Sequence, residues 1–337
     1  MTAEKSNRVF SYGTARAATV LMTACAFCAI LLVLGTGLVA ALTHDVLGLE
    51  HARAIAALGL LFVTFFAGHA GELGLLDGYS QGKVQLPTAL PVTASPATGG
   101  AYSPWRAGLA SAACVGMPSS ALAFALLPRL WPNGVARERF VWHFATAGAV
   151  LAGLIVLRWT GRHFLHEARL PAAQRGFVGS PTSYLWWRHA LPQGLVNLAI
   201  NAWIGIALAP GRTSDPSALV PRTLVQTDLV GTALVLVLVI AAGVRTQARF
   251  DVRWGVIAPS LEAPPRIGWR IAAAIALPVL VIACVWLLYA GLRLDGIGVW
   301  TFVAWRSIGC GLYCGLIAYY CARWTLAEQA SLAAART

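Results

Sequence analysis

The stretch IGVWTFVAWRSIGCGLYCGLIAYYCA, residues Ile297–Ala322, decides which folds are open to this chain. Arg306 is its only charged residue. At ~1.5 Å per residue a helix of this length outruns a hydrocarbon layer of roughly 30 Å. Seven other stretches read the same way: Ala17–Leu42, Ala54–Leu76, Ala107–Leu127, Phe140–Leu157, His189–Ala209, Thr223–Val244 and Ile271–Leu292. Membrane β-strands would be ~10 residues of alternating character, and no such alternation dominates. The expected fold is an all-α integral membrane protein of about eight transmembrane helices, arranged as four helical hairpins.

Composition agrees. The hydrophobic share is 58% and the charged share 11%, where a soluble domain has about 25% charged residues. Mean hydropathy is +0.68. The net charge of +12 would point to nucleic acid in a soluble protein. Here the basic residues sit at the ends of apolar stretches, where they fix orientation and meet anionic head groups, so no nucleic-acid partner is expected. All seven cysteines (25, 28, 114, 284, 310, 314 and 321) fall inside apolar stretches. An odd count with none in a loop argues for small apolar residues rather than a disulfide framework. Lys5 and Lys83 are the only lysines, and an arginine- and alanine-rich chain of this kind fits a GC-rich bacterial genome.

Charge between the stretches gives an orientation. Basic residues gather in the amino-terminal tail (Lys5, Arg8, Arg16), in the fourth gap (Arg158, Arg162, Arg169, Arg175, Arg188), in the sixth (Arg245, Arg249, Arg253, Arg266, Arg270) and in the carboxyl tail (Arg323, Arg336). The intervening gaps are short and nearer neutral; the third, with Arg129, Arg137 and Arg139, fits least well. The positive-inside rule then places both termini in the cytoplasm of a bacterial inner (plasma) membrane protein. The organisation expected is a tail over 1–16, a membrane domain over 17–322 with inner loops 77–106, 158–188 and 245–270, and a tail over 323–337.

Three hairpins look related. Pro118, Pro192 and Pro278 each follow Met or Leu, and Gly148, Gly231 and Gly309 are each followed fourteen residues later by an arginine. This reads as an internal repeat with a diverged first hairpin. Small-residue ladders, Ala145–Ala149–Gly153 and Ser307–Gly311–Gly315, read as helix-packing faces.

An ionisable side chain in a span costs on the order of 2.5–3.5 kcal/mol at the helix centre, so each needs a partner or water. Asp228 and Arg306 fall roughly 9 and 14 Å from the same membrane face, at ~1.5 Å per residue. Asn201 comes to a similar level, with Asn197 one turn away on its face, and Thr232 adds a hydroxyl. These five form the expected solute-binding site. His69 and Glu72, one helical turn apart, form an expected proton relay at the inner end of the second stretch.

The function expected is a transporter or permease moving a small polar or ionic solute. The rivals are a membrane-embedded enzyme acting on lipid through Glu72, His163 and His166, and a non-catalytic subunit of a larger complex. No phosphate-binding loop, serine-hydrolase elbow or zinc-protease motif occurs. No catalytic residue, metal ligand or cofactor is expected. The expected partners are membrane lipids, the solute, and a second copy of the chain or a larger complex.

Overall fold

The computed structural model describes residues 46–80, 104–155, 176–207, 219–260, 266 and 296–335. Its regular structure is helical apart from four short strands, and the chain divides into two compact units, Met1–Gly176 and Phe177–Thr337.

In the first unit β1 (Val46–Leu47) leads into α1 (Leu49–Ser80). Then come α2 (Pro104–Ser111), a π-helical turn (Ala112–Gly116), α3 (Met117–Leu130), β2 (Val135–Ala136) and α4 (Arg137–Ile155). β1 and β2 pair antiparallel, Val46 opposite Ala136 and Leu47 opposite Val135. Gly134 has φ +88°, and a Cβ there would lie 2.5 Å from the Leu47 carbonyl oxygen, so this turn requires glycine. The other helices pack on α1. Glycines allow the approach: the Phe144 ring covers Gly59, Ser111 faces Gly68, and Thr64 faces Gly116. Polar ties add to the packing. Ser120 Oγ donates to the Ala57 carbonyl at 2.5 Å, and Arg53 Nε donates to the Phe124 carbonyl at 3.1 Å.

In the second unit α5 (Pro181–Tyr184) runs through a π-helical turn (Leu185–Ala190) into α6 (Leu191–Ala207). β3 (Leu219–Pro221) leads into α7 (Arg222–Arg253), and β4 (Gly296–Gly298) into α8 (Val299–Ala334). β3 and β4 pair antiparallel over three residues, with Val220 opposite Ile297. Both α6 and α7 pack on α8. Gly311 and Gly315 of α8 meet Gly194 and Ala190 backbone directly, so this part of the expected ladder is a packing face.

Three described helices are long and apolar enough to cross a membrane: Ala52–Asp77, Trp105–Leu130 and Val299–Ala334. Their side-chain distribution reverses that of a soluble protein. On α8, Trp305, Ile308, Leu312 and Leu316 form one exposed stripe, with Trp305 at 65% and Leu312 at 66%. Arg306, Ser307, Cys314 and Ala318 are buried on the other side. On α2 and α3, Leu109, Met117, Leu122, Phe124 and Leu130 are all exposed. A contiguous apolar surface of this kind in water would aggregate; against acyl chains it is the matching solvent.

Helices run past several of the expected span ends. α7 continues nine residues beyond Val244, so the first third of the loop expected over 245–270 is helix. α8 runs to Ala334, so most of the tail expected over 323–337 is helix too. The end of the loop expected over 158–188 is α5 and its π-turn. Charges mark where a helix leaves apolar surroundings, which need not be where its hydrogen bonds stop. The ladder Ala145–Ala149–Gly153 is also misplaced: the buried face of α4 is Ala145, Gly148, Ala152 and Ile155. The expected spans Ala17–Leu42 and Ile271–Leu292 lie outside the described residues.

Pro118 and Pro192 each follow a π-turn. Proline's ring clashes with the carbonyl four residues back. For Pro118 and Pro192 those residues are Cys114 and Arg188, each within the widened turn that accommodates the clash. The second widening also sets the direction of Arg188 and His189.

A Cβ at Gly311 would lie 2.9 Å from Leu198 Cβ and 3.0 Å from the Gly194 carbonyl oxygen, whereas none of the neighbouring atoms comes within 4 Å at Gly309. Gly311→Leu should therefore lower stability by about 1–3 kcal/mol through overpacking. Gly309→Leu should be neutral. Thermal unfolding in detergent micelles compares the two.

Candidate functional site

Arg306 projects from the second turn of α8 into the interface with α6 and α7, where Gly205 leaves room beside its aliphatic stem. It is 7% exposed, and Asp228 of α7 is 4% exposed. The guanidinium meets the carboxylate edge to edge: Nε donates to Asp228 Oδ2 at 2.7 Å and Nη2 to Oδ1 at 2.7 Å. Nη2 also donates to Thr232 Oγ1 at 2.9 Å, and that hydroxyl donates to Asp228 Oδ1 at 3.2 Å. Nη1 donates to Asn201 Oδ1 and, at 3.3 Å, to the Asn201 carbonyl. A guanidinium has five N–H donors, and here each has an acceptor. One side chain of α8 thus ties α7 and α6 together.

Four of the five residues expected to bind solute are therefore neighbours. The fifth, Asn197, lies one turn along α6 and does not meet the guanidinium. Its Nδ2 donates to the Gln193 carbonyl at 2.9 Å, and its own carbonyl accepts Asn201 Nδ2 at 2.8 Å. Asn197 holds Asn201 in place through the helix backbone instead of facing the guanidinium.

The expected relay residues lie in the first unit. Glu72 is 1% exposed on α1. The His69 ring stacks on Trp105, with centroids 4.9 Å apart and planes 22° apart, and on Phe65 at 6.2 Å. His163 and His166, which the lipid-enzyme reading needs beside Glu72, lie outside the described residues. Among the described residues no group of three or more His, Cys, Asp or Glu is placed to hold a metal ion.

A second buried network, not anticipated from sequence, joins the π-turn before α6 to the far end of α7. Arg188 Nε donates to Asp251 Oδ2 at 2.6 Å and Nη2 donates to Oδ1 at 2.9 Å. The Tyr184 hydroxyl donates to Asp251 Oδ2 at 2.7 Å, and His189 Nε2 lies 2.9 Å from that hydroxyl. The phenolic proton faces the carboxylate, so His189 must supply the hydrogen of the second contact, which assigns the Nε2–H tautomer. Tyr184, His189 and Asp251 are each 0% exposed. The Phe177 N–H donates to the Val256 carbonyl at 2.7 Å and closes the segment over the network. The readable signal was Asp251, an acidic residue among arginines, with Tyr184 and Arg188 one helical turn apart.

Burial, and then the adjacent Asp251 carboxylate, pushes the Tyr184 phenol well above its ordinary value of 10.0. The group stays a donor, as the geometry requires.

Against known proteins, no family model matches this chain, no curated protein is similar to it, and no solved structure is similar to it. Neither of the two networks has the separated acid, base and nucleophile of a hydrolytic centre. Both are planar carboxylate–guanidinium clamps between helices, the geometry in which arginine binds an oxyanion most firmly.

Two outcomes are expected at the second clamp. Asp251→Ala leaves Arg188 buried without its carboxylate and should cost about 3–5 kcal/mol, part of which Arg188→Met in the same chain restores. The Tyr184 contribution should be complete below pH 10, because the phenol is then protonated in both folded and unfolded chains. Above that, the unfolded phenol loses its proton while the folded one keeps it. Stability should decline by up to about 1.4 kcal/mol per pH unit, a slope that Tyr184→Phe removes. Micelle unfolding as a function of pH measures both.

Proposed function

We propose that this chain is an eight-span protein of a bacterial inner membrane, with both termini cytoplasmic, that moves a small polar or ionic solute by alternating access. Its central site is Asp228, Arg306, Asn201 and Thr232, with Asn197 in support and His69 and Glu72 as the inner proton relay. The observation that carries the reading is the fully engaged guanidinium of Arg306, buried among three helices, two of which, α6 and α8, expose apolar side chains such as Leu195 and Leu312. Such a charge is expensive in a membrane bundle, and a purely structural tie could be made with small residues at lower cost. Its five donors are all taken, which suits a closed state in the proposed cycle. A solute reaches Arg306 or Asp228 only when α7 and α8 part.

The second clamp supports the same reading. Asp228 and Asp251 lie about 35 Å apart along α7 at ~1.5 Å per residue, close to the membrane thickness. One helix held by breakable ion pairs at both ends is suited to opening one end at a time.

Reconstituted into liposomes on a solid-supported membrane, the protein should give transient currents for at least one of H⁺, Na⁺, K⁺, Cl⁻, phosphate or acetate. Asp228→Asn and Arg306→Gln should each lower that current at least tenfold with the protein still folded. Silence of the wild type across this panel and across labelled neutral amino acids and sugars rejects the proposal, as do undiminished currents in both variants.

A further inference from the structure

At the arginine-bearing end of the second unit, a cleft of about 180 Å³ opens between the α5 segment and α8. Arg323, Thr182, Ser260 and Tyr319 give it one guanidinium and three hydroxyls, while Leu185 and Leu326 form its apolar part. We propose that this cleft binds the phosphate of an anionic phospholipid, with the guanidinium and hydroxyls on the phosphate oxygens and the leucines against the start of the acyl chains.

Depth is the first argument. Exposed aromatic side chains gather at membrane–water boundaries. On α8 these are Trp300 near one end and Tyr320 towards the other, with Trp186 and Trp187 exposed beside the cleft. Along the helix axis Trp300 and Tyr320 are about 30 Å apart at ~1.5 Å per residue, which sets the Tyr319–Arg323 turn at the edge of a ~30 Å hydrocarbon layer. The phosphates of a bilayer lie just beyond that edge. The Tyr319 ring is held there by Trp186, with centroids 5.4 Å apart.

Chemistry is the second argument. Arg323 lines the cleft and is exposed, and a guanidinium with neighbouring hydroxyls matches the tetrahedral acceptors of a phosphate better than it matches a neutral head group. Size is the third. Enclosed sites for small molecules usually measure about 300–1,000 Å³. This smaller, open cleft suits a head group whose chains leave sideways into lipid. Because Tyr184 and Arg188 of the same segment belong to the clamp on Asp251, an occupied cleft also holds that segment against α8.

A phosphate ester could arrive on a lipid or free in solution, and the test separates the two. Full-length protein in a neutral detergent is titrated with phosphatidylglycerol, phosphatidylcholine or glycerol 3-phosphate, and bound copies are counted by native mass spectrometry. The expected result is one preferentially retained phosphatidylglycerol, with affinity lowered about five- to tenfold by Arg323→Gln. Tyr319→Phe should weaken it less. Arg129→Gln, an exposed arginine of the first unit, should leave it unchanged. Unfolding temperatures of every variant are recorded without lipid, so a misfolded variant is recognised; if Arg323→Gln misfolds, Thr182→Ala with Tyr319→Phe takes its place. Equal retention of phosphatidylcholine, equal loss with Arg129→Gln, or displacement by millimolar glycerol 3-phosphate overturns the proposal.

Discussion

A guanidinium taken out of water must bring its acceptors with it, and in the second unit that requirement falls on Arg306. Lipid offers no hydrogen-bond partners, so each unmatched N–H would cost several kcal/mol. The chain answers with five acceptor contacts drawn from α6 and α7. This places Asn201, Asp228 and Thr232 on the faces that turn towards α8. It also demands close helix approach, which Gly194, Gly311 and Gly315 permit along the same interface. Polar satisfaction and small-residue packing thus specify one arrangement of the three helices.

The ends of the helices obey the same rule by other means. Each of the four strands stands at or next to the start of a long helix, and the strands pair two by two, β1 with β2 and β3 with β4. Backbone groups at these turns are hydrogen-bonded to each other before the chain enters apolar surroundings. Pro118 and Pro192 create the opposite difficulty, a helix interior without a donor, and the π-turns at Ala112–Gly116 and Leu185–Ala190 absorb it. In the second case the widened turn also carries Arg188 and His189 into the clamp on Asp251, so one backbone adjustment serves packing and electrostatics together.

Much of this was legible in the residues themselves. Apolar length identified the long helices, and depth counted along them brought Asp228, Arg306, Asn201 and Thr232 to one level, because charges in lipid have few ways to be satisfied. Asn197 was harder: an asparagine in a helix can spend its amide on its own backbone, as this one does on Gln193, and spacing alone does not distinguish the two uses. Asp251 and Arg188 were missed because charges between apolar stretches read as solvated, whereas α7 extends far enough to carry Asp251 into a fully buried site. The face of α4 was misjudged by about one residue in register, since ladders of alanine and glycine recur on more than one side of that helix. α7 and α8 likewise continue as helix past the apolar stretches that marked their spans.

The packing of α6, α7 and α8 depends most directly on the coupling between Asp228 and Arg306, and a double-mutant cycle of unfolding in micelles measures it. With Asp228→Asn, Arg306→Gln and the pair combined, each single change should cost about 3–5 kcal/mol, and the double should cost little more than either alone. That result would show one buried pair whose halves are useless apart. Costs that simply add, or singles that cost nothing, would contradict a membrane-buried clamp and with it the arrangement of α6, α7 and α8 described above.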